Sequence, residues 1–193
     1  MLTTKDKLLS TLVSYIKNGD DLQNIALSKI AQDAEIGKST VYEYFESKEH
    51  MIIETYRYLL KHYASILLSD LEAKDFKGAL YEELRRTLIV LKDARSIMEA
   101  IMKVPYHDFR VDLSLKREMQ DIQQTMSNRF VHIMKLGVEE GILPLREQNK
   151  EVSYVVQAII SGLLFQYVNG EMDLTENELL EMIYRQVVRV VQS

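Results

Sequence analysis

Cysteine is absent from this chain of 193 residues, proline occurs twice (Pro105 and Pro144) and glycine seven times. Without cysteine there is no disulfide framework and no thiolate nucleophile or metal ligand, which fits a reducing compartment. So few helix breakers over this length argue for an all-helical fold. Histidine is also scarce: His50, His62, His107 and His132 are the four. None has a second histidine or a carboxylate at a convincing ligand spacing, and no Glu-x-x-His occurs, which argues against a di-metal helical bundle. No nucleophile–base–acid set stands out, and Ser96 and Ser161 read as helix-surface or packing residues. Neither enzymatic activity nor a metal or cofactor is expected. Long apolar runs are lacking too. The densest, 155–168, is interrupted by Gln157, Ser161 and Gln166 and reads as too short to cross a bilayer. Residues 1–7 do not begin a signal peptide, because Ser10, Thr11 and Ser14 break the apolar residues that follow. The expected location is therefore the cytoplasm, with no membrane partner.

What is present is a composition for a core: 47% of residues are hydrophobic, and a chain of this size removes roughly 70% of its unfolded surface on folding. Apolar residues repeat at helical spacing almost throughout. The first helix runs over about 4–18, with Leu8, Leu9, Leu12, Val13 and Ile16 inward and Gly19 as its stop. A long helix is expected over 47–71, capped by Ser47 and carrying Met51, Ile52, Tyr56, Leu59, Leu60, Tyr63, Ile66, Leu67 and Leu71. Further helices are expected at 75–92, at 94–103 before Pro105, at 108–136, at 150–168 and at 176–192. With two short helices in between, the total is about nine.

Those two short helices are the most informative part of the chain. Ile30, Ala31 and Ala34 give the first an apolar face, and small Ala31 lets another helix cross closely. Gly37 follows Ile36 where the chain must turn, and glycine accepts the positive φ such turns often need. Val41 and Phe45, four apart, turn one face of the second helix into the same core. Its other face carries Lys38, Ser39, Thr40, Tyr42 and Tyr44. This is a helix-turn-helix pattern, whose second helix suits the DNA major groove. A phosphate-binding loop is excluded, because Gly37-Lys38-Ser39 has Gln32 where that loop needs its first glycine, and a helix where it needs a strand.

Ile30-Ala31, Gly37-Lys38-Ser39-Thr40-Val41-Tyr42, Tyr44-Phe45 and Ser47-Lys48-Glu49 resemble the signature of the tetracycline-repressor (TetR) family of bacterial transcriptional regulators. The motif covers about a quarter of the chain, and the weaker resemblance in length and all-helical layout covers all of it. It implies an N-terminal helix-turn-helix DNA-binding domain over 1–50. A long helix joins it to a C-terminal effector-binding and dimerisation domain over 51–193. Two features depart from the family pattern: its glycine–aromatic pair is Gly19-Asp20 here, and Ala26, a poor cap, precedes the second helix.

The charge balance is unusual for a DNA binder. Net charge is −5, and residues 1–50 hold six lysines, eight acids and no arginine. The usual basic footprint is missing, so modest non-specific affinity and strong salt sensitivity are expected. Tyr42, Tyr44 and Lys48 are the expected phosphate contacts, and Lys38, Ser39 and Thr40 the expected base contacts.

The helices at 150–168 and 176–192 are apolar around much of their circumference, beyond the single stripe one core requires. The excess predicts a homodimer interface, with Val155, Ile159, Gly162, Leu163, Ile183 and Val187 as its residues. Gly162 in mid-helix costs roughly 1 kcal/mol against alanine, which a close helix approach would offset. Methionine makes adaptable cavity walls. The resemblance makes Met98, Met102, Tyr106, Met126, Phe130 and Phe165 candidate walls for a small, mainly apolar effector. The reading is a dimeric DNA-binding regulator, a repressor as the family mostly is, released from a pseudo-palindromic double-stranded operator by its effector. The alternatives are a helical effector-binding or scaffold protein that no longer reads DNA, favoured by the acidic head, and a helical-bundle enzyme.

Overall fold

The computed structural model describes residues 3–103, 113–145 and 150–193, and the side chains within 3–94, 116–145 and 151–193. Among these, the chain is all-helical, with eight helices and no strand. They are α1 (Thr4–Lys17), α2 (Leu27–Asp33), α3 (Lys38–Tyr44), α4 (Lys48–Leu67), α5 (Phe76–Lys103), α6 (Leu113–Glu139), α7 (Lys150–Val168) and α8 (Glu176–Gln192). Two compact units result. The first comprises Met1–Ser65 with Asp93–Asp121, and the second Ile66–Lys92 with Ile122–Ser193.

In the first unit, α1 opens with a reciprocal cap: Thr3 Oγ1 accepts from the Asp6 amide at 3.1 Å, and Asp6 Oδ2 accepts from the Thr3 amide at 3.0 Å. Gly19, at φ +81°, ends the helix in the left-handed region. Leu8, Leu9, Leu12 and Ile16 of α1 are buried, as are Ile30 and Ala31 of α2, Val41 of α3, Phe45, and Met51, Leu59 and Tyr63 of α4. Each of the leucine, isoleucine, valine, phenylalanine and methionine side chains among them contributes about 1.5–3 kcal/mol. Thr55 is fully buried on α4, where its hydroxyl donates to the Met51 carbonyl at 2.8 Å, so the polar group is not stranded. Ser47 caps α4 as expected, its Oγ accepting from the His50 amide at 3.0 Å. Polar ties hold further elements to α1 and α4. Lys5 pairs with Glu54 at 3.0 Å, Arg57 pairs with Glu54 and with Glu118 of α6 (3.2 Å), and the Tyr63 hydroxyl donates to Asp93 of α5 at 2.9 Å.

The second unit has its own core: Phe76, Ala79, Leu80, Leu84 and Leu88 of α5, Ile133 of α6, Leu143, Val156 and Leu164 of α7, and Leu179, Leu180, Ile183 and Val187 of α8. The Phe76 amide donates to Glu140 at 2.7 Å, which anchors the start of α5. Gly137 is required by close approach, since a Cβ there would lie 2.7 Å from Leu143 Cδ1. The one acidic side chain buried here among the described residues, Glu83, pairs with Arg129 at 3.2 Å, and Arg129 also donates to the Leu67 carbonyl at 2.7 Å. A second reciprocal cap, Thr175 with Glu178, opens α8.

Several expectations are corrected. The helices foreseen at 75–92 and 94–103 are one helix, α5, because no glycine, proline or working cap interrupts the chain there. Asp93 turns its carboxylate to Lys17 and Tyr63 instead of capping a new helix. The α4 helix stops at Leu67 rather than 71, where the Ser69 hydroxyl takes the Ile66 carbonyl. Ile183 and Val187, expected at a dimer interface, are 0% exposed within this chain's own core. The α8 periodicity places them with Leu179 and Leu180 on its inner stripe, so no partner can reach them. By length and composition, the stretch Glu151–Val168 of α7 is sufficient to span a membrane, against the expectation that the run is too short. Its inner edge, including Val156 and Leu164, packs into the core of the second unit, and α7 lies against α8.

Candidate nucleic-acid interface

The helix-turn-helix is built from α2, a four-residue turn (34–37) and α3. Ala26 occupies the N-cap of α2 without a side-chain bond, as the sequence implies. The turn is closed by the Ile36 amide on the Ala31 carbonyl, 2.9 Å, and the Glu35 amide on Gln32, 3.1 Å. Its left-handed residue is Glu35, at φ +56°, not Gly37. Gly37 has φ −70° and serves as the N-cap of α3, so its role is to start the helix. Next to the turn, Asp33 accepts from the Tyr15 hydroxyl and from Lys29 at 2.9 Å. The Tyr15 bond, then that of Lys29, holds the Asp33 carboxyl below the usual carboxylate range.

Val41 and Phe45 anchor α3 inward, at 1% and 2% exposure. The Phe45 ring is bracketed by the His50 ring, edge-on at 5.9 Å, and by the Lys5 ammonium at 5.7 Å. These anchors fix the rotation of the helix. Lys38 and Ser39 are exposed, Thr40 and Tyr44 half-buried, and Tyr42 is 55% exposed. None of these five side chains makes a hydrogen bond or ion pair among the described residues, so this face is unoccupied from within. Glu43 is also exposed on it, a position not singled out in the sequence. Its signal was available, since Glu43 lies two residues past the buried Val41. Lys48 is placed differently: its ammonium donates to the carbonyls of Gln23 and Ile25, both at 2.6 Å, and ties α4 to the α1–α2 connection.

Other candidate residues scatter. The side chains of Met98 and Met102, and residue Tyr106, lie outside the described residues. Met126 and Phe130 stand one turn apart on α6, both half-buried, with Phe130 against the second core. Phe165 is corrected from a pocket wall to a surface residue. It is 64% exposed on α7, because Val156, Ile160 and Leu164 take the inner face of that helix. The same outward face carries Tyr154, Val155, Ala158 and Gly162, while Ile159 and Leu163 are half-buried at its edges.

A helix-turn-helix head followed by an all-helical remainder defines a class of DNA-binding folds. The comparison with known structures narrows it. A TetR transcription regulator from Haloarcula marismortui superposes with a TM-score of 0.66 at 14% identity, over 97% of this chain and 96% of that one. FadR from Bacillus subtilis, in complex with stearoyl-CoA, matches with a TM-score of 0.58 at 16% identity, over 97% of each chain. A protein from Saccharomonospora viridis described as a transcriptional regulator, in complex with choline, matches at 0.68 and 17%, over 95% of this chain and 94% of that one. No protein-family model matches the sequence, and no curated protein does. The chain has the fold of the TetR family of transcriptional regulators.

Proposed function

We propose that the protein is a cytoplasmic transcriptional regulator, not an enzyme, that binds a pseudo-palindromic operator as a homodimer and is released from it by a small, mainly apolar effector. The observation that carries this reading is the outward face of α3. Serine, threonine and tyrosine side chains stand there, with Lys38 exposed at the first turn, and none has a hydrogen-bond or ion-pair partner among the described residues, on a helix whose rotation is fixed by Val41 and Phe45. Residues 1–50 act as the DNA-binding domain and 51–193 as the effector and dimerisation domain. Lys38, Ser39 and Thr40 approach base edges, and Tyr42 and Tyr44 hold phosphates. Lys48 keeps one of its three N–H donors for a phosphate, the other two being engaged by Gln23 and Ile25.

The dimer forms through the open face of α7. Val155, Ala158, Gly162 and Phe165 recur there at helical spacing, with small residues at the centre to admit a second helix. Such an interface should bury at least about 1,000 Å² and set the recognition helices about 34–36 Å apart, or a multiple of that. That proteins of this fold are found with stearoyl-CoA and with choline supports a small molecule as the input, with Met126 and Phe130 among its contacts. The effector acts by favouring one spacing of the two heads, and a coupling of about 1–3 kcal/mol changes operator affinity roughly 5–150-fold.

The acidic head favours a second reading, a helical ligand-binding or scaffold protein that no longer reads DNA. An electrophoretic mobility-shift titration on the DNA upstream of its own gene separates the two. Retention of a discrete fragment in low salt, lost steeply as salt rises, supports the regulator. No retention of any fragment at micromolar protein supports the scaffold.

A further inference from the structure

The rotation of α3 decides which of its side chains projects furthest from the head. Each helical residue advances about 100°, so residues two before and two after a core position stand opposite the core. The core position is Val41, and the residues opposite it are Ser39 and Glu43, four apart and both exposed. The crest of α3 therefore carries a carboxylate, flanked by Tyr42 and Thr40, and not a cation.

Several carboxylates of the first unit are engaged, whereas Glu43, like Asp20, Glu35, Glu46 and Glu49, is not; of these, Glu43 alone stands on α3. Asp33 is taken up by Tyr15 and Lys29, Glu54 by Lys5 and Arg57, and Asp93 by Lys17 and Tyr63. Glu43 has no hydrogen bond or ion pair among the described residues. An acid on the crest is repelled by DNA, which carries one negative charge per roughly 1.7 Å of helix axis. A base-edge donor can offset that repulsion. In the major groove, cytosine presents its N4 amino group as a donor, whereas guanine offers only acceptors, and the N6 donor of adenine sits beside the N7 acceptor. A carboxylate is an acceptor only, so it fits cytosine and is repelled by guanine.

We propose that Glu43 is a specificity-determining residue that accepts a hydrogen bond from the N4 amino group of one cytosine in each operator half-site and disfavours other bases there. The inference rests on the operator-binding reading above. It also gives the acidic head a purpose, since a crest acid weakens every contact except the matched one.

The test is selection of bound duplexes from a randomised pool by the full-length wild type, Glu43→Gln and Glu43→Ala. Glu43 is exposed and unpartnered, so all three proteins should melt at the same temperature. The wild-type pool should fix one cytosine per half-site. Glutamine is matched to adenine N6 and N7, so Glu43→Gln should replace that cytosine with adenine, and Glu43→Ala should leave the position unspecified. Changing the cytosine in a selected duplex should weaken wild-type binding about tenfold and Glu43→Ala binding hardly at all. Three pools with the same base at every position would overturn the assignment of Glu43 while leaving DNA binding intact. Failure of the wild type to enrich any sequence would overturn the operator reading and this inference with it.

Discussion

Lys17, at the end of α1, grips both carboxylate oxygens of Asp93 on α5, its ammonium lying 2.6 Å from Oδ1 and 2.8 Å from Oδ2. The Tyr63 hydroxyl of α4 donates to the same group. Three helices of the first unit therefore converge on one carboxylate. Burial opposes its ionisation, but the bonds from Lys17 and then Tyr63 outweigh this and hold Asp93 below its ordinary value of 3.8. Tyr63 is pushed the other way, well above its usual range, by burial and then by the bond to Asp93.

This depressed carboxyl predicts an acid sensitivity of known sign. A group whose folded pKa lies below its unfolded one stabilises the fold above the unfolded value, and that contribution is lost as pH falls through the folded value. Asp93 should contribute fully at neutral pH and lose its contribution below about pH 4. Asp93→Asn should lower stability at pH 7 by no more than about 1 kcal/mol, since the pair is a third exposed. The difference from wild type should shrink on acidification, as read by urea denaturation at pH 7 and pH 3.

Glu35 bears backbone strain that glycine would relieve. A non-glycine residue in the left-handed region costs about 1–2 kcal/mol, partly offset in any exchange by the extra entropy glycine loses on folding. Glu35→Gly should therefore raise the stability of the head by about 0.5–1 kcal/mol. A thermal melt followed by circular dichroism checks it, and a lower midpoint would contradict the turn geometry.

Gly162 has open space where its Cβ would be. Gly162→Leu should therefore leave the isolated fold intact, and even gain helix propensity of about 1 kcal/mol, while blocking close approach of a second α7. Sedimentation velocity should show wild-type dimers and mutant monomers at micromolar concentration. A wild type that sediments as a monomer would remove the dimer proposal.

Glu83 and Arg129 form the pair most shielded from water among the described ion pairs. Removing one partner strands the other, so Glu83→Ala should cost about 3 kcal/mol in the second unit. Replacing both with apolar residues of similar volume should cost much less. A double-mutant cycle in guanidinium measures the coupling.

Lys48 has both a structural and a proposed DNA-binding role, and they separate experimentally. Lys48→Met should lower head stability, because the Gln23 and Ile25 carbonyls lose their donor. It should also reduce the salt slope of operator binding by about one unit if a phosphate is held. An unchanged slope in a folded variant would confine Lys48 to the structural role.

Local pattern determined the elements in this chain. Helical spacing placed α1, α2, α3 and α7 closely, and Ser47 capped α4, because these signals act over one or two turns. The crest of α3 was equally legible, since burial of Val41 fixes the rotation and sets Glu43 opposite it, although an acid is not the residue type that suits a phosphate backbone. Tertiary structure decided what depends on partners distant in sequence. It joined two expected helices into α5, since the Asp93 carboxylate finds Lys17, 76 residues away, instead of a local amide. It assigned positive φ to Glu35 and left Gly37 as a cap. It also divided two similarly apolar helices into different roles: Ile183 and Val187 of α8 close the core, while Phe165 of α7 faces out. Periodicity says that a face is apolar; only the packing of the other helices determines whether this chain covers that face itself.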